Sequence, residues 1–371
     1  MSLIQSLKER LKGIPWGLLF LVYILIAIGL ANLYSATAAG ITPDRFQDQF
    51  RWVLLGTASV IFWGVILDIR TIERLTVFGY IIICCMLLAV DVIGQVAKGA
   101  QRWLVMGPIR VQPSEFAKFM IILIVARSFS SMKGVTQFSL LSLWRQFFLI
   151  IIPFIFILLQ PDLGTAGLVL MIACFIIAFV RVDWKSIMIV AGISAIAPIL
   201  AWNFVLYDYQ KQRVLNFINP MNDPRGTGYH SIQSMIAVGS GGMWGRGFQQ
   251  GTQSQLSFLP ERHTDFVFSV LAEEHGFMGS IVTFSIFLAI LVQCFQISEK
   301  ARDTFSSLVA LGVAGFILFH FVINVAMVLG LFPVVGVPLT FVSYGGTHML
   351  TALSCIGLLV AVERRRATSS T

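Results

Sequence analysis

The sequence predicts an all-α integral membrane protein that crosses the bilayer about ten times. Three observations predict it. Apolar residues make up 57% of the 371 residues and charged residues only 12%, with a mean hydropathy of +0.84. Soluble proteins carry about a quarter charged residues. The apolar residues gather in runs long enough to cross the hydrocarbon core, which takes roughly 20 residues of helix. Lys and Arg fall between those runs, so the net charge of +8 encodes orientation and not a nucleic-acid surface. A soluble enzyme, a disordered chain and a nucleic-acid-binding domain are excluded. Residues 1–371 read as one integral membrane domain.

The elements follow in order. The first run, 14–34, is preceded by Lys8, Arg10 and Lys12 and followed by Ala36-Thr37-Ala38, which resembles a signal peptide. The run is long for such a peptide and nine more follow, so it reads as a retained anchor. Runs 50–67 and 75–93 lead to a polar, cationic loop at 94–113. Run 115–130 opens with Pro113-Ser114, a helix-start pair. Runs 146–160 and 163–180 are divided by the turn Gln160-Pro161-Asp162, and 187–206 comes next. Residues 207–276 form a long loop rich in Gly, Gln, Pro and charge. Within it, apolar residues at 232, 235, 236 and 238 predict a short amphipathic helix on the membrane surface. Runs 277–297, 307–331 and 344–362 complete the count.

Orientation follows from the short loops. With the N-terminus inside, the inner loops carry Arg70, Arg74, Lys133, Arg145, Arg181, Lys185, Lys300, Arg302 and Arg364-Arg365-Arg366. The short outer loops carry only Arg45, Lys98, Arg102 and Arg110, with Arg51 at a span mouth. The excess of cations belongs inside, so both termini are expected in the cytoplasm and the long loop outside. Trp16, Trp52, Trp144 and Trp184 sit at span ends as interfacial anchors. Cys84, Cys85, Cys174, Cys294 and Cys355 lie in apolar runs and read as packing residues, with no disulfide framework or zinc site.

Charges near the outer ends of spans need a reason, because each costs roughly 2.5–3.5 kcal/mol at membrane depth. Glu115 and Lys118 are three apart and project from one helix face, so they can pair. A capped helix explains Glu115, which complements the dipole, but not a cation near the N-terminus. A buried pair facing a polar cavity explains both. Asp162 reads first as the cap of the helix after its turn. Asp265, after Pro260-Glu261-Arg262-His263-Thr264, opens a helix at 266–275 and is flanked by Phe266, Val267 and Phe268. It is either an N-cap or a desolvated carboxylate of raised basicity, and the residues leave both open. Arg102, Arg110, Lys211, Arg213, Arg225 and Arg246 form an outer cation set suited to phosphate. The glycines of 239–247 read first as a flexible loop; phosphate binding by their N–H groups is the alternative. No nucleotide or redox motif is present. A reaction outside the cell must use a substrate that arrives activated, and a lipid-linked diphosphate fits.

At these residues the chain resembles the SEDS family of cell-wall polymerases, closest to its elongation-specific, rod-shape branch. The motifs are Lys98-Gly99-Ala100-Gln101-Arg102-Trp103-Leu104, Gln112-Pro113-Ser114-Glu115 with Lys118, and Gln160-Pro161-Asp162-Leu163-Gly164-Thr165. Then come Tyr209-Gln210-Lys211-Gln212-Arg213-Val214, Gly251-Thr252-Gln253-Ser254-Gln255 and Leu259 to Phe266. Pro333 to Leu339 and Val342-Ser343-Tyr344-Gly345-Gly346 close the series. The resemblance implies a ten-span fold and peptidoglycan glycosyltransfer from lipid II on the outer face of a bacterial cytoplasmic membrane. It implies Asp265 as the essential acid, Glu115 and Lys118 as a functional pair, and Asp162 as a further important position. It also implies a class B penicillin-binding protein as partner. Arg110 and Arg213, with Arg102 and Gln112 beside them, are the candidate substrate ligands, and Mg or Mn is the candidate cofactor. One departure from the family pattern, Thr347-His348, is expected to lie away from this chemistry. A lipid II flippase is the rival expectation, and a scaffold that only recruits a partner is a third.

Overall fold

The computed structural model describes residues 13–38, 44–97, 100–107, 109–132, 137–204, 206–219, 227–255 and 261–368. Lys8, Arg10, Lys12, Lys98, Gly99, Lys133, Arg225, Leu259 and Pro260, named above, lie outside them. The described chain is almost entirely helical. The long helices are α1 (Trp16–Ala38), α2 (Asp44–Ile61, extended by a π turn at Phe62–Ile66), α3 (Ile69–Ile93), α4 (Pro113–Ser130), α5 (Trp144–Leu159), α6 (Leu163–Ala178) and α7 (Trp184–Phe204). Short helices α8 (Asp208–Ile218), α9 (Thr227–Ser240) and α10 (Thr252–Gln255) belong to the long loop. Long helices α11 (Val267–Glu299), α12 (Thr304–Val328) and α13 (Gly346–Thr368) follow.

Eight of these helices, α5 taken with the 3-10 turn Leu140–Leu143 that precedes it, are long and apolar enough to cross a membrane. Helix α6 has 16 residues and falls short in length. Helix α4 has 18 but carries Glu115, Lys118 and Arg127. The centre of the molecule explains how α4 keeps those charges. Fourteen of its eighteen residues are buried, and it packs against α3, α5, α6, α12 and α13. Side chains on every face of α4 meet protein, so its polar groups find partners in place of lipid. Helices α12 and α13 are the other two central members. Helix α7 is the opposite case: only Ser186 of it is buried.

Two features depart from a purely helical expectation. Loop 94–113 folds into a three-stranded antiparallel sheet of β1 (Gln95–Ala97), β2 (Ala100–Met106) and β3 (Ile109–Val111). Trp103 faces Gln95, and Val105 faces Arg110. In β2 Leu104 is buried and Val105 exposed, as neighbours on opposite faces of a strand are, and Gly107 at φ 62° starts the reversal into β3. The second feature is a break in α11 at Gly276, whose φ of 66° and ψ of −162° are not helical.

Helix α9 covers the amphipathic segment expected at 229–238. Ser234 and Ala237 are buried, while Met235 and Ile236 are exposed. The Ser234 hydroxyl lies 2.8 Å from that of Ser269 in α11 and donates to the Val328 carbonyl of α12 at 2.7 Å. The helix therefore docks on protein through Ser234 and Ala237 and turns Met235 and Ile236 outward.

Candidate active site

The site is built in two layers at one end of the bundle. The lower layer lies inside it. Proline at the first position of α4 starts the helix without needing an N–H partner. One turn on, the Lys118 ammonium donates to Glu115 Oε1 at 2.8 Å. Lys118 has no exposed surface and Glu115 only 5%. Two histidines complete the group. Lys118 Nζ is 2.9 Å from His320 Nε2 of α12, and the other Glu115 oxygen is 2.9 Å from His348 Nδ1 of α13. His320 Nδ1 faces the Phe316 carbonyl at 2.8 Å. The rings of Phe316, His320 and His348 pack together, and Lys118 stands 5.6 Å from the Phe316 ring centre. Thr347-His348 thus does not lie away from the expected chemistry: His348 contacts Glu115 directly. The start of α13 enters the core beside α4, which sequence spacing does not reveal.

The upper layer is the turn 261–266, which carries Asp265. Three successive carbonyls of this turn are each held by a different donor. The Tyr344 N–H donates to His263 O at 2.9 Å. The Ser343 hydroxyl donates to Thr264 O at 2.7 Å, and the Asn324 amide donates to Asp265 O at 2.8 Å. Asn324 also donates to Val337 O at 2.7 Å, and the Leu339 N–H donates to the Ser343 hydroxyl at 2.8 Å. From α2, the Gln49 amide donates to Ser343 O, and its oxygen accepts from the Gly345 N–H. Burial, and behind it Asp48, push the Tyr344 phenol above its ordinary pKa, so this neighbour stays neutral. The half-buried Asp265 side chain lies over Gly336, where an added Cβ would stand 3.5 Å from Oδ2. Gly336 holds φ at 72°, a conformation glycine adopts without strain. Asp265 is not the cap of α11; that position is Phe266.

One helix face joins the layers. His320 and Asn324 are four residues apart on α12, about 6 Å along the axis at 1.5 Å per residue. His320 reaches Lys118 and Asn324 reaches the Asp265 carbonyl. Lys118 and the Asp265 backbone are therefore tied to one stripe of α12.

Asp162, Gln112 and Arg102 form a separate group beside it. Asp162 caps α6 by accepting the Thr165 N–H at 3.3 Å, and it accepts the Gln112 amide at 3.3 Å. Arg102 Nη1 is 3.7 Å from Asp162 Oδ1, and the same guanidinium donates to the carbonyls of Gln160 and Pro161. This set ties the β2 strand, the start of α4 and the α5–α6 turn together. Arg110 is exposed on β3. Arg213 donates from α8 to Val334 O at 3.3 Å. Among the described residues no three His, Cys, Asp or Glu side chains gather as a metal site. The residues missed by sequence reasoning are His320, Asn324 and Gln49. A signal for His320 existed, since an ionisable residue in an apolar run is functional by default.

The family model of the cell cycle proteins FtsW, RodA and SpoVE matches residues 15–368. The chain belongs to this family. It is 38% identical over 353 residues to the peptidoglycan glycosyltransferase MrdB of Escherichia coli K12, covering 95% of this chain and 94% of that one. Among solved structures it resembles a chain from a peptidoglycan synthase complex that coordinates polymerization and crosslinking. That match has a TM-score of 0.80 and 29% identity, with 95% of this chain and 98% of the other covered. The rod shape determining protein RodA of Thermus thermophilus matches with a TM-score of 0.72 and 27% identity, covering 96% and 98%.

Proposed function

We propose that this chain polymerises lipid II into β-1,4 glycan strands for cell elongation, with Asp265 as general base. It is a peptidoglycan glycosyltransferase, the activity its relatives are named for. The observation that carries the assignment of the base is the clamped turn, whose three tethered carbonyls fix the backbone from which the Asp265 carboxylate projects. In this reading Asp265 removes the proton from the 4-hydroxyl of the acceptor GlcNAc. That oxygen attacks the anomeric carbon of the growing chain's terminal MurNAc. The bond to undecaprenyl diphosphate breaks on the opposite face, so an α-linked donor yields a β-linked product.

The departing diphosphate needs positive charge. Arg110, exposed at the hairpin, and Arg213 beside residues 333–339 are the proposed donors. Mg or Mn is the proposed alternative; an ion carried on a diphosphate needs only one or two protein carboxylates and no protein cage. Both termini are proposed to face the cytoplasm. The partner is proposed to be a class B penicillin-binding protein.

Labelled lipid II, supplied to the purified protein with such a partner and resolved on a gel, tests the proposal. Asp265→Asn is expected to lower glycan synthesis at least about 100-fold, the scale of general base catalysis. Full activity of that variant would remove the base assignment. A chelator arm decides the counter-charge: loss with EDTA restored by Mg assigns it to the ion, and indifference assigns it to arginine. A transporter would make no glycan in any arm.

A further inference from the structure

We propose that His320 and His348 are positioning residues for glycosyl transfer, holding the Glu115–Lys118 pair through hydrogen bonds of opposite polarity. The inference rests on the glycosyltransferase reading above. The geometry assigns each ring its role. His320 Nδ1 lies 2.8 Å from a backbone carbonyl, which only accepts, so Nδ1 carries the hydrogen. Its Nε2 faces an ammonium at 2.9 Å, which only donates, so Nε2 offers a lone pair. His320 is an acceptor for Lys118. His348 Nδ1 faces a carboxylate oxygen at 2.9 Å and must donate to it. Donor, carboxylate, ammonium and acceptor thus form one chain: His348, Glu115, Lys118, His320, Phe316 O.

Packing alone does not account for His348. Its Nε2 is buried with no hydrogen-bond partner among the described residues. A leucine would fill the space without burying a bare ring nitrogen, which is unfavourable. The chain is also coupled to the turn above it. His320 shares a face of α12 with Asn324, which holds the Asp265 carbonyl. His348 sits in the first turn of α13, four residues after Tyr344, which with Ser343 holds the two preceding carbonyls. A shift of either ring moves the elements that aim Asp265.

A crossed substitution in the full-length protein with its partner tests this. Asparagine places its amide where Nδ1 was, and glutamine reaches the place of Nε2. At 348, His348→Asn is expected to retain the rate at saturating lipid II within about threefold, while His348→Gln loses about tenfold or more. At 320 the order reverses: His320→Gln retains the rate and His320→Asn loses it. KM for lipid II is expected to stay within about twofold in all four, because the pair acts on the reacting geometry. A role in folding alone lowers the amount of folded protein and not the rate per folded molecule, so rates are taken on the monodisperse size-exclusion fraction of each variant. Equal rates for Asn and Gln at both positions, or the same order at both, would overturn the inference with the parent active. A parent that makes no glycan would overturn the glycosyltransferase reading and this inference together.

Discussion

Lys118 is buried with no exposed surface near the start of a helix, where the dipole opposes a cation. Glu115 and His320 both lie within hydrogen-bond distance of its Nζ. Removing one member of such a pair strands the other in a low-dielectric core and costs about 3–5 kcal/mol. Glu115→Gln and Lys118→Met are each expected to lower Tm in detergent markedly. The double variant is expected to be more stable than the sum of the two losses implies, because it leaves no stranded charge. Strict additivity would mean that the pair is not coupled. At this scale the sequence was partly legible. Glu115 and Lys118 stand three apart on one helix face and could be read as a pair. His320 and His348 could not be joined to them, since they lie 202 and 233 residues from their partners.

At the scale of the element, the glycine-rich segment 239–247, read first as a flexible loop, is held by backbone hydrogen bonds. It docks on the break in α11. The Arg246 and Gly247 N–H groups donate to Glu273 O and Glu274 O, and the Phe277 and Met278 N–H groups donate to Gly242 O and Met243 O. These bonds replace those that the helix loses at Gly276. A Cβ on Gly276 would stand 2.3 Å from the Gly245 nitrogen, and its φ of 66° is left-handed. Gly276→Val is expected to separate the loop from the helix and reduce folded protein severely, as clashes and strain at special backbone positions do. Near-parental yield and Tm on size-exclusion and thermal unfolding would show that the break is not needed. A run of glycines reads as freedom in a sequence. Here the partner backbone removes that freedom, and only the fold brings the two segments together.

Across the whole molecule, charge divides by end. At one end Arg364 donates to Gly64 O and Val65 O, Arg302 donates to Arg366 O, and Arg365 pairs with Asp303 at 2.6 Å. At the other lie the hairpin, the turn 261–266 and residues 333–345. The positive-inside rule assigns the arginine-rich end to the cytoplasm. Cysteine placed at 110 is expected to react with a membrane-impermeant maleimide in intact cells, and cysteine at 367 only after permeabilisation. The reverse pattern would put Asp265 in the cytoplasm and remove the proposed function.

Hydropathy and charge are sums over short stretches, so the amino-acid sequence alone determined the membrane class, the approximate spans and the expected orientation. Motif order likewise pointed to the family, with Glu115, Lys118 and Asp265 already in view. Only the tertiary structure decided what surrounds them: two histidines for the buried pair, three donors for the Asp265 turn and a broken helix for the glycines. The reason is physical. A helix announces itself through its own residues, whereas a hydrogen bond between helices depends on a partner that packing, not spacing, brings into range.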